Sequence, residues 1–124
     1  MTPKLVFSAA AAATGVLGLA FLAAPVFMLA SWDVKGDPAA VFMTRRYGVM
    51  LFGYGVVLWL ARTAAATPAR HAIATGGLVV TAVVAVISLL GVLQGIVGPA
   101  AWSAVVIEAL LAAGFAFVLF TEKR

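Results

Sequence analysis

Arg45, Arg46 and Glu108 sit where a chain of this kind should carry no charge. They lie inside long apolar runs, Val41 to Leu60 and Ala100 to Phe120. A charge in hydrocarbon is costly, so such residues pair with one another or line a polar cavity. Glu108 is the only acid inside an apolar run, and the two arginines are the only bases. Two kinds of chemistry follow. One is a guanidinium–carboxylate fork, a geometry that suits arginine better than lysine. The other is a titratable acid held among apolar neighbours.

Depth brings these groups together. Arg45 is seven residues past Pro38, about 10 Å along a helix. Glu108 is eight past Ala100, about 12 Å from the same side. An Arg45–Glu108 pair is therefore expected. At 100° per residue, Arg45 shares a face with Gly48, Phe52, Gly55 and Trp59. Small residues mark close helix packing in membranes, which favours Arg45 as the inward arginine. Arg46 falls about 100° round and snorkels toward headgroups. Glu108 shares a stripe with Ala101, Ala104 and Ala112. Tyr47 and Gln94 lie at comparable or shallower depth and complete a hydrogen-bonded shell. A bridge that only sets helix register explains the same residues. So does a second run that starts late, at Tyr47, with both arginines at the interface.

The elements that position these groups are membrane helices. Of 124 residues, 65% are hydrophobic and 10% charged, and mean hydropathy is +1.19. Soluble domains carry about a quarter charged residues. Segments are expected over Leu5 to Ala30, Pro38 to Ala61, His71 to Ile96 and Ala100 to Phe120. Each is long enough to cross hydrocarbon, and backbone in lipid must pair within its own segment. No segment alternates with period two, which excludes a β-barrel. Pro25 bends or ends the first segment locally. Asp37-Pro38 reads as an N-cap and first-turn proline. The first segment is too long for the apolar core of a signal peptide.

The fold class expected is all-α: an integral membrane, up-down four-helix bundle in a single domain over residues 1–124. Lys4, Arg62, Arg70, Lys123 and Arg124 fall on one side, against Lys35 and at most Arg45 and Arg46 on the other. Both termini are then cytoplasmic. Trp32 and Trp102 become anchors at the outer interface. The chain has no cysteine and one histidine, His71, so disulfides, haem ligation by two histidines and a metal cluster held by histidine or cysteine are excluded within it; Asp33 and Asp37 read as loop capping rather than as a cation site. Its basic residues are scattered and form no nucleic-acid footprint. No cofactor, metal or catalytic set is read from the sequence.

One resemblance carries this further. The run TRRYGVMLFGYGVVLWLAR, opening on Arg45-x-x-Gly48, precedes a basic loop ending in Ala69-Arg70 and a tryptophan, Trp102, that opens the last segment. In this layout the chain resembles small four-helix bacterial membrane proteins of the DoxX-like kind. The resemblance implies the four-helix fold and a multi-pass inner-membrane location, and no activity. The small multidrug transporters are similar in size, but their glutamate lies in the first helix, where this chain has none. The expected function is a non-enzymatic membrane protein. Its outward-facing pocket, built on Arg45, Arg46, Glu108, Tyr47 and Gln94, binds a lipid-like or anionic amphipathic molecule. Alternatives are an accessory subunit of a larger membrane complex or homo-oligomer, packed through glycine faces, and a small proton- or cation-coupled transporter using Glu108.

Overall fold

The computed structural model describes Met1 to Glu122; Lys123 and Arg124, counted above for orientation, lie outside the described residues. The described chain is helical, with α1 (Pro3–Ala23), α2 (Pro25–Ser31), α3 (Pro38–Ala61), α4 (Pro68–Leu93) and α5 (Trp102–Thr121). A 3₁₀ turn, Pro99–Ala101, leads into α5.

The helix ends follow from local chemistry. The first expected segment is two helices, because the chain breaks at Ala24 (φ −133°, ψ 57°) ahead of Pro25. Proline disfavours the α conformation in the residue before it. α3 has the bounds expected: Asp37 Oδ1 accepts from the Ala40 N–H at 2.8 Å, with Pro38 in the first turn. α4 begins three residues earlier than expected, because Thr67 and Pro68 repeat that pairing. It also ends earlier, at Leu93. Gly95 takes φ +71°, the Gly95 N–H donates to Val92 O, and the Ile96 N–H donates to Gly91 O at 2.9 Å. That is a Schellman stop. α2 ends the same way on Asp33 (φ 57°), with Val34 N–H donating to Leu29 O at 2.9 Å.

Three stretches are long and apolar enough to cross a membrane: Pro3–Ala23, Pro68–Leu93 and Pro99–Thr121. α3 has the length, 24 residues, but Arg45 and Arg46 dilute its apolar character and it is not among the three. Met50, Leu60, Leu110 and Phe120 are 68–79% exposed. Such outward apolar surface is a liability in water and matches lipid tails.

Packing is uneven. α1 lies along α3, and α4 along α5. The first contact is backbone on backbone. A Cβ on Gly18 would stand 2.5 Å from the Phe52 N, one on Gly48 2.8 Å from the Gly18 O, and one on Gly55 2.9 Å from the Gly15 N. The two pairs pack directly on each other at one end. There Phe7, Leu58, Phe115 and Val118 are fully buried. The Phe7 and Phe115 rings meet edge to face, with centroids 5.8 Å apart. Gly77 leaves room for the Phe115 ring, whose nearest carbon would be 2.7 Å from an added Cβ. Arg70 closes this end. It pairs with Glu122, donates to Ala64 O, and lies 5.7 Å above the Phe7 ring. Toward the other end the pairs diverge.

Candidate functional site

The divergence leaves a cavity of about 700 Å³ between the helix pairs. Each long helix turns one stripe into it. α1 contributes Thr14, Leu17 and Phe21; α3 contributes Tyr47, Leu51 and Tyr54; α4 contributes Thr81, Val84 and Ser88; α5 contributes Ala104, Glu108 and Leu111. Every stripe has the three-, four- and seven-residue spacing of one helix face. Leu29, Trp32 and Val34 cover one end. This cover is tied down across the molecule: the Gly98 N–H donates to Trp32 O at 2.8 Å, and the Asp33 carboxylate sits against Gly98. A cavity of this volume, mostly apolar with a few polar groups, has the dimensions of a small-molecule site.

One polar pair in its wall joins two helices. The Ser88 hydroxyl donates to Glu108 Oε2 at 3.1 Å, bridging α4 and α5. Glu108 has no other hydrogen-bond partner among the described residues. The Thr14 and Thr81 hydroxyls donate to their own helices, to Ala10 O at 2.8 Å and Gly77 O at 2.7 Å. Tyr47 packs edge to face on Phe21, with centroids 5.4 Å apart. The Tyr54 hydroxyl is buried and has no hydrogen-bond partner. An orphaned buried hydroxyl is uncommon, and a bound group at the cavity wall would satisfy it.

The structure brings together only part of the expected set. Glu108 and Tyr47 line the cavity; Arg45, Arg46 and Gln94 do not. Arg45 and Arg46 are both exposed, and the Arg46 guanidinium lies 5.9 Å from the Phe42 ring centroid. The expected Arg45–Glu108 pair is not formed: among the described residues the ion pair is Arg70–Glu122. Two causes act together. Arg45 and Tyr47 are two residues apart, so they point about 200° apart around α3. With Tyr47 on the cavity side, Arg45 faces away. The glycine stripe that Arg45 continues packs on α1, and it does not face α5. α3 and α5 also share no extended contact, since the cavity separates them. Gln94 caps the end of α4 and is exposed.

Trp32 is half-buried in the cavity cover, whereas Trp102 is exposed at the start of α5. Sequence reasoning missed Tyr54, Ser88 as the partner of Glu108, and the cover formed by Leu29, Trp32 and Val34. The seven-residue repeat Tyr47–Tyr54, next to the repeat Gly48–Gly55, was the available signal. One stripe packs on a neighbour and the adjacent one looks into the gap. No protein-family model, curated protein or solved structure matches this chain.

Proposed function

We propose that the chain is a multi-pass inner-membrane protein of four spans, with α3 as the fourth, and that its cavity holds a lipid-like amphipathic molecule. The observation that carries this reading is the cavity itself: about 700 Å³ between two helix pairs, apolar along its length, with Glu108 and Ser88 as a polar pole. α3 crosses with Arg45 and Arg46 near its outer end, where long side chains reach headgroups. The layout shared with DoxX-like membrane proteins belongs to the same reading. With the arginines outside the cavity, an anionic headgroup has no basic partner there, so that part of the expectation is not carried forward.

The test is mass spectrometry of the intact protein released from membranes under gentle conditions. Wild type should carry one bound molecule per chain. Ala104→Trp, which fills the cavity beside Glu108, should lose it while keeping its helical content. A wild-type protein that carries nothing, or a variant that keeps its ligand, would sink the proposal.

Orientation is checked separately. The chain has no cysteine, so single cysteines report cleanly. With both termini cytoplasmic, Gly36→Cys should react with an impermeant maleimide from outside intact cells. Ala65→Cys should react only after the membrane is opened. The reverse pattern would invert the topology.

A second reading is favoured by one feature. Glu108 is a titratable group in a cavity between two helix pairs that pack directly at the Phe7–Phe115 end. A small cation-coupled transporter would need Glu108 to meet each side in turn, which requires the Trp32–Gly98 cover to open on one side and the Phe7–Phe115 contact on the other. In that case Glu108→Gln abolishes flux and spares folding.

A further inference from the structure

The charge lining the cavity is one-sided. Glu108 lines it, and among the described residues no lysine, arginine or histidine does. Four aromatic residues, Phe21, Trp32, Tyr47 and Tyr54, line the wall, and aromatic π systems attract cations. The Tyr54 oxygen has no hydrogen-bond partner and offers free lone pairs. Ser88 supplies one hydrogen bond to Glu108, and one neutral hydrogen bond does not compensate an ionised carboxylate among apolar groups. A positive charge brought by a ligand would. It would meet one carboxylate, so a single charge balances the site. Aromatic faces favour cations whose charge is wrapped in apolar groups and weakly hydrated.

From this one-sided wall we infer that the cavity selects a lipophilic monovalent cation, with apolar groups around a quaternary ammonium- or phosphonium-like centre, seated against Glu108 and the rings of Trp32, Tyr47 and Tyr54. The assignment rests on the cavity being a ligand site, and it adds the sign of the ligand's charge. It also gives Ser88 a part: the hydroxyl fixes one carboxylate oxygen and leaves the other for the ligand.

Two ions of nearly equal shape and opposite charge test this on the wild-type protein. Tetraphenylphosphonium and tetraphenylborate are titrated against protein in detergent by equilibrium dialysis. Tetraphenylphosphonium should bind saturably, one per chain, and tetraphenylborate should not. Glu108→Gln should weaken tetraphenylphosphonium on the order of 30-fold with an unchanged melting temperature. Ala104→Trp should abolish binding. Equal binding of both ions, or preference for tetraphenylborate, overturns the cation assignment and leaves the cavity a ligand site. Binding of neither ion, together with a native protein that carries no adduct, overturns both. The comparison of the two ions uses unaltered protein, so it does not depend on how the variants fold.

Discussion

Gly48→Val should cost at least about 3 kcal/mol of stability and separate α1 from α3, against about 1–3 kcal/mol for ordinary overpacking. The excess has a physical cause. A Cβ at Gly48 would lie 2.8 Å from the Gly18 O and 2.9 Å from the Leu22 N. Both are backbone atoms, so no rotamer change relieves the clash, and only movement of a whole helix can. Gly18 and Gly55 face the same obstacle, with contacts of 2.5 and 2.9 Å. These close approaches provide dispersion contact that lipid cannot replace, which is what holds helices together in a bilayer. The control lies on the same helix. A Cβ at Gly53 meets nothing within 4 Å, so Gly53→Ala should be neutral or stabilise by up to about 1 kcal/mol through helix propensity. Thermal melting in detergent separates the two outcomes. If both variants melt together with wild type, the α1–α3 contact is not as described.

Arg70→Met carries the second large effect, a loss of about 3 kcal/mol. Its side chain is 11% exposed and that of Glu122 is 13% exposed. Removing the guanidinium leaves a nearly buried carboxylate without its partner, which costs far more than the pair contributes. It also removes the hydrogen bond to Ala64 O and the cation over the Phe7 ring. The double variant Arg70→Met, Glu122→Met removes both charges. It should recover most of the loss, because no buried charge is then left alone. Denaturant titration of the three variants measures the coupling. Additive losses would place the two side chains apart, and the clamp on this end of the molecule would be lost with them.

The end held by Arg70 and the end that opens differ in how legible they were. Asp37-Pro38 set the start of α3, since a capping carboxylate and a first-turn proline act locally. Thr67-Pro68 carry the same information. The expected start at His71 passes over that signal, and the helix begins at Pro68. Periodicity does not show the partner of Arg70: Glu122, 52 positions away in the chain, pairs with it at this end. The glycines of α3 were legible as a packing face. Which neighbour they pack on was not, because periodicity shows which residues share a face and not what the face meets. Taking the glycine face as the bundle centre turned Arg45 inward and gave it Glu108. Facing α1 instead, the same stripe leaves Tyr47, Leu51 and Tyr54 as the inner face. The cavity is a place where helices fail to touch, and no residue pattern encodes that directly.

The most direct measurement is an experimental structure of the protein taken from membranes into lipid nanodiscs. Density is expected between the two helix pairs, ending against Glu108 and Tyr54, with Ser88 still bonded to the carboxylate. A collapsed interior, with α3 packed on α5 and Arg45 on Glu108, would contradict it.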